Sequence, residues 1–84
     1  MPDNREHALH VQAGATAVIT ARVAHDPAFA DEFIGVVEGG YKGTLEAFAR
    51  SAGVNVSEVE VIVIDNGICI CKGRACTCII YRAA

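Results

Sequence analysis

Val59-Glu60-Val61-Ile62-Val63-Ile64-Asp65-Asn66-Gly67-Ile68-Cys69-Ile70-Cys71-Lys72-Gly73-Arg74-Ala75-Cys76-Thr77-Cys78-Ile79-Ile80 decides how this chain folds. Its first six residues alternate in a β-branched run, with Val59, Val61 and Val63 on one side and Glu60, Ile62 and Ile64 on the other. That pattern reads as a strand. Asp65-Asn66-Gly67 is a strong turn signal. Ile68 to Cys71 and Cys76 to Tyr81 are then two further extended segments, joined by Lys72-Gly73-Arg74-Ala75 as a four-residue hairpin loop. All four cysteines of the protein lie in this hairpin, as two Cys-x-Cys pairs.

On a hairpin, Cys71 sits opposite Cys76 and Cys69 opposite Cys78, with all four thiols on one face. Such a cluster can bind a metal, cross-link or be chemically modified. Residues two apart on a strand are about 6.6 Å apart, whereas sulfurs sharing one tetrahedral zinc lie about 3.8 Å apart. A regular hairpin therefore brings two thiols to one ion, and Cys-x-Cys suits soft Cu(I) clusters better than zinc. Two cross-strand disulfides, Cys71–Cys76 and Cys69–Cys78, are easier geometrically. Burial of the cysteines as small apolar residues is the blandest reading, and four within ten positions argues against it.

Working toward the N-terminus, the period becomes helical. Thr44 is placed as an N-cap for a short helix in which Leu45, Phe48, Ala49 and Ala52 share a face, and Gly53 is placed to end it. Asp26-Pro27 opens another helix: the carboxylate accepts first-turn N–H groups, and proline has no N–H to lose. Its stripe is Phe29, Phe33, Ile34 and Val37, and Gly39-Gly40 stops it. Residues 5–24 are good helix formers broken only by Gly14, with weak periodicity. Leu9, Ala13, Ala17 and Thr20 lie near one face, and Val11, Ala15, Val18 and Ile19 near another. The first few residues are expected to fray. Helices first and strands last predict a small single α+β domain: two or three N-terminal helices, a β-strand, and a C-terminal cysteine-rich β-hairpin.

At 84 residues, without tryptophan and with much of the apolar content as alanine, the core is thin, and a second copy or a partner is expected to help complete it. The formal charge of −3 and the lack of a basic run argue against nucleic acid. The acidic start is unlike a signal peptide. The apolar run from Ile68 is broken by Lys72 and Arg74 and is too short to insert in a bilayer. The chain reads as cytoplasmic, where modification targets or metal ligands are more usual than a disulfide framework. His7 and His10 share a helix face that solvation explains. Asn55-Val56-Ser57 fits a glycosylation acceptor, which has no meaning in that compartment. No nucleophile–base constellation, phosphate-cradling loop or Cys-x-x-Cys redox pair is present, so neither an enzyme nor a cofactor is expected.

The middle of the chain carries a resemblance. Residues 19–29, Ile19-Thr20-Ala21-Arg22-Val23-Ala24-His25-Asp26-Pro27-Ala28-Phe29, are followed by Leu45-Glu46-Ala47-Phe48, Ala52-Gly53-Val54-Asn55-Val56 and Val59-Glu60-Val61-Ile62-Val63-Ile64. Over residues 16–65 this resembles the nitrile hydratase-like leader peptides of ribosomally synthesised, post-translationally modified peptides, the proteusins among them. A related leader family, named after a nitrogen-fixation gene product, shares the helix–Asp-Pro–helix and Ala-Gly features but fits the valine strand less well. The resemblance implies a leader, residues 1–67, gripped by maturation enzymes, and a cysteine-rich segment, residues 68–84, that they modify. A processing protease and an exporter are then further partners, the precursor being cytoplasmic and its product exported. Phe29, Phe33, Ile34, Leu45 and Phe48 would form the leader's core or the enzyme's grip, and Gly67 the cleavage point. The Gly-Gly that often marks cleavage occurs only at Gly39-Gly40, within an unusually long glycine-rich link. The nitrile hydratase metal claw is not matched by Cys76-Thr77-Cys78, so no metal or hydrolytic activity is carried over.

Counting acceptors narrows the modification. A lanthionine ring needs a dehydrated Ser or Thr for each thiol, and beyond Asn66 only Thr77 qualifies. Chemistry in which each thiol of Cys69, Cys71, Cys76 and Cys78 attacks the carbonyl before it needs no separate acceptor, and disulfides are the unmodified fallback. Two other functions are expected to compete: a Zn or Cu(I) module using the same four cysteines, and a small oligomeric structural domain.

Overall fold

The computed structural model describes residues 4–81. Three helices precede one antiparallel sheet: α1 (Asn4–His25), α2 (Pro27–Glu38), α3 (Leu45–Ser51), β1 (Glu60–Ile64), β2 (Gly67–Lys72) and β3 (Ala75–Ile80), with strand order β1-β2-β3. The α+β class expected from the sequence is the observed one. The helices form one layer and the sheet the other, with α1 packed on β2, β3 and α2.

The caps behave as their chemistry requires. Asp26 accepts from the N–H groups of Ala28 at 3.1 Å and Phe29 at 3.3 Å, with Pro27 as the first helical residue. Thr44 Oγ1 accepts from Ala47 N–H at 3.0 Å. Arg22 fastens the helices together: it pairs with Asp26 at 3.3 Å, donates to Ser51 O at 3.3 Å, and stacks over Phe29 with 5.3 Å to the ring centroid. Between the layers lie Ile19, Phe29, Phe33, Phe48, Ala49, Ala52, Val54, Val59, Ile68 and Ile70. Phe48 is the hub, stacked on Phe29 at 4.7 Å and tilted against Phe33 at 6.2 Å.

α1 departs from expectation. The expected face of Val11, Ala15, Val18 and Ile19 is the buried one only in part: Ile19 is buried and Val11 and Ala15 pack half-buried on the core, but Val18 is exposed, as is Leu9 of the other stripe, while Gln12 and Thr16 are buried. The Thr16 hydroxyl donates to Gln12 O at 2.8 Å, so the threonine goes inside with its polar group satisfied. Gln12 Nε2 donates to Leu9 O at 3.3 Å, but its Oε1 is buried with no partner among the described residues. Of the start expected to fray, Met1 to Asp3 lie outside the described residues, and the helix begins at Asn4.

The hairpin loop is shorter than expected. Lys72 and Ala75 pair with each other, leaving Gly73 and Arg74 as a two-residue turn. Gly73 has φ of +60° at the first central position, a conformation glycine adopts without the Cβ penalty and one that suits the strand twist. Gly67 is needed for a different reason. A Cβ there would strike the Ile79 carbonyl oxygen and come within 3.0 Å of Ile80 Cα, so only glycine lets β3 approach β2 at this point.

Candidate functional site: the paired cysteines

The register sets the site. Cys69 faces Cys78 and Cys71 faces Cys76 across β2 and β3, as the sequence pattern places them. Both pairs are disulfide-bonded, with Cα–Cα separations of 3.9 and 4.1 Å. Ile68 and Ile70 point into the core, so strand alternation puts the cysteines on the sheet face away from the helices. There they form rows with β1: Ile62–Cys69–Cys78 and Glu60–Cys71–Cys76. Cys69, on the middle strand, is buried, whereas Cys76 and Cys78 on the edge strand are exposed.

The backbone bears on thiol chemistry as much as the sulfurs do. Lys72 and Ala75 flank a two-residue turn and so form a hydrogen-bonded pair. Alternation then makes Ile70–Thr77 and Ile68–Ile79 hydrogen-bonded pairs and leaves both cysteine pairs non-hydrogen-bonded. The carbonyls preceding the four cysteines belong to Ile68, Ile70, Ala75 and Thr77. Every one of them is engaged in the β2–β3 ladder.

The remaining sequence-predicted residues divide. Phe29, Phe33 and Phe48 are buried together and Leu45 is half-buried beside them, but Ile34 is 37% exposed and stands outside the cluster. Thr77 is half-buried on the helix-facing side of β3, opposite in sense to its cysteine neighbours. Gly67 opens the middle strand, buried and paired with both Ile64 and Ile80, so the Gly67–Ile68 bond lies inside the sheet. As disulfides, the four sulfurs are not thiolate ligands, and among the described residues no three His, Cys, Asp or Glu side chains stand close enough to hold a metal ion. No helix among the described residues is long and apolar enough to cross a membrane.

Sequence reading missed one feature. Beside β1 opens a groove of about 630 Å³, lined by Thr44, Leu45, Glu46, Val56, Val59, Glu60 and Val61. Its signal was the run of β-branched residues on both sides of β1, more than one covered face requires. No protein-family model matches the chain, and no curated protein or solved structure is similar to it.

Proposed function

We propose that the chain is the precursor of a modified peptide natural product, with residues 1–67 as the enzyme-binding leader and the hairpin from Ile68 onward as the segment that is modified. The observation that carries this reading is the segregation of the four cysteines onto the uncovered sheet face, while the other face of the same strands closes the hydrophobic core. On that face Cys76 and Cys78 are exposed and Cys71 is half-buried, within reach of a second protein, while Cys69 is buried. The precursor is cytoplasmic in this reading, where the cysteines are held reduced, and the disulfides belong to the chain or its product in an oxidising compartment. The maturation enzymes act as partners, and a protease and an exporter complete the route.

The ladder adds an order of events. Closing a five-membered ring from a cysteine thiol onto the preceding carbonyl needs that carbonyl free, and each is tied up in the folded hairpin. Backbone-directed modification therefore acts on an opened hairpin, whereas disulfide formation acts on a closed one. Mass spectrometry of the matured tail tests the proposal. One water lost per cysteine marks azolines, one water plus two hydrogens marks azoles, and two hydrogens per pair marks disulfides alone. A tail carrying disulfides alone when the chain is produced in its native cells would refute the precursor reading. Stoichiometric Zn or Cu(I) on the reduced protein, lost on replacing any one cysteine by serine, would replace it with a metal-binding module.

A further inference from the structure

Among the described residues, the outer edge of β1 leaves backbone groups unpaired. Ile64 and Gly67 flank the two-residue turn Asp65-Asn66 and so form a hydrogen-bonded pair. By alternation Glu60 and Ile62 also bond to β2, and Val61 and Val63 direct their N–H and C=O groups away from the sheet. Natural edge strands are often blunted along their length by lysine, proline or a bulge, and β1's one charge, Glu60, stands at its very start. β1 has none of these: its sequence is Glu60-Val61-Ile62-Val63-Ile64 and its register with β2 is unbroken. Ile62 and Val63 are each 39% exposed.

We propose that this edge pairs with β1 of a second copy, antiparallel and centred on Ile62, joining the two three-stranded sheets into one. The symmetry matches the free groups. Val61 falls opposite Val63 of the second copy, and both point outward, so they exchange N–H···O bonds as a hydrogen-bonded pair. Ile62 faces its own counterpart at the closer, non-hydrogen-bonded spacing, where apolar side chains meet. Glu60 lies opposite Ile64, which keeps the two Glu60 carboxylates about 13 Å apart along the strands. Parallel in-register pairing would stack Glu60 on Glu60 and is disfavoured.

The groove fits the same occupant. Val63 of the second copy lies beside Val61 on the helix-facing side, where Leu45, Val56 and Val59 form an apolar wall and no side chain of the described residues fills the space. The opposite edge is less suited. β3 packs under α1, and Cys76 and Cys78, whose backbone groups point outward there, are locked back onto β2 by disulfides. A five-residue strand contact is small, so the dimer is weak and depends on concentration.

Sedimentation velocity of the oxidised full chain from low micromolar to several hundred micromolar, with amide hydrogen exchange at both ends of that range, tests the pairing. The wild type is expected to pass from monomer to dimer, and the Val61 and Val63 amides to gain protection as it does. Ile62→Lys and Ile62→Glu, both on the sheet face away from the core, should each stay monomeric while melting as folded proteins, and mixing them should restore a dimer. Ile80→Lys, at a still more exposed position on β3, should dimerise like the wild type. A wild type monomeric throughout the range, a dimer that survives Ile62→Lys, a mixture that stays monomeric, or a dimer lost in Ile80→Lys would each overturn the proposal. So would unchanged exchange at Val61 and Val63.

Discussion

Replacing Phe48 by Ala tests where the stability of this small fold resides. Phe48 is fully buried, stacks on Phe29 at 4.7 Å, and meets Phe33 at 6.2 Å and Tyr41 at 5.8 Å. Removing a buried phenylalanine costs roughly 3–5 kcal/mol, more when the cavity cannot collapse. Here three aromatic partners, Phe29 and Phe33 on α2 and Tyr41 in the link after it, hold the walls apart, which places the cost toward the upper end, at about 4–5 kcal/mol. A domain of this length holds only about 4–13 kcal/mol in all. With about 4–8 °C lost per kcal/mol at this size, Tm should fall by roughly 15–40 °C, enough to unfold a large share of the protein. Ile34→Ala is the control. At 37% exposure the isoleucine contributes only part of the roughly 1.5–3 kcal/mol available to a fully buried one, so less than about 1.5 kcal/mol is lost. Circular-dichroism melting of both variants under non-reducing conditions reads the difference. The reasoning fails if Phe48→Ala melts within about 5 °C of wild type, or if Ile34→Ala costs as much.

Gly67→Ala should destabilise by at least about 2 kcal/mol, because relieving the clash with the Ile79 carbonyl means parting β2 from β3; a urea midpoint equal to wild type would contradict the close approach. Gln12→Met should raise Tm, since it keeps the packing volume and removes a buried carbonyl oxygen that has no partner; an unchanged or lower Tm would mean that water or another group satisfies that oxygen. The Asp26 carboxyl is held below its ordinary value, first by the Phe29 N–H, then by Arg22 and the Ala28 N–H, with desolvation opposing. Its folded pKa is therefore the lower one: its contribution is complete above about pH 4 and is lost as pH falls through the folded value. Asp26→Asn should thus melt below wild type at pH 7 and converge with it in strong acid, by parallel melts across that range. The disulfides close short loops, with sequence separations of 9 and 5. Reduction should cost about 2–3 kcal/mol for the outer one and less for the nested one, read as a Tm difference with and without reductant.

The elements with local chemistry were legible and those defined only by neighbours were not. Asp26-Pro27 and Thr44 announced their helices because a cap is written in one or two residues, and the cysteine register followed from strand alternation around a turn. The buried face of α1 was legible only in Val11, Ala15 and Ile19, because Gln12 and Thr16 read as solvent-facing until the sheet lies over them. The hairpin loop was overestimated by one residue on each side: Lys72 and Ala75 carry no strand signal, and only pairing puts them in the ladder. In β1 valines occupy one side and isoleucines most of the other, so period alone cannot say which face is covered. The structure buries the Val61 side, because that side continues Val59 and meets Ile70. The chemistry of the tail was legible as residue types and spacing, but the engagement of its carbonyls depends on which cross-strand pairs are hydrogen-bonded, and that is set by the turn length.

That engagement links the fold to its proposed use. Each ladder bond contributes about 0.5–1.5 kcal/mol net, and Ile68 and Ile70 on the same hairpin are fully buried in the core, so opening even the reduced hairpin gives up part of the core and comes close to unfolding the domain. With both disulfides closed, the chain ends of the hairpin cannot separate, and the same carbonyls are held out of reach by covalent links rather than by weak bonds. Oxidation and backbone cyclisation are thus mutually exclusive fates for the same four residues, decided by which occurs first. In a reducing compartment only the ladder and the core hold the hairpin, and its carbonyls become available whenever those give way. In an oxidising one the sheet is sealed, with Ile68 and Ile70 fixed in the core. Cleavage after Gly67 falls under the same constraint: that bond lies inside the middle strand, flanked on both sides. On the proposed reading a protease would reach it only in the open state, and the chain before it would then lose two of its three strands.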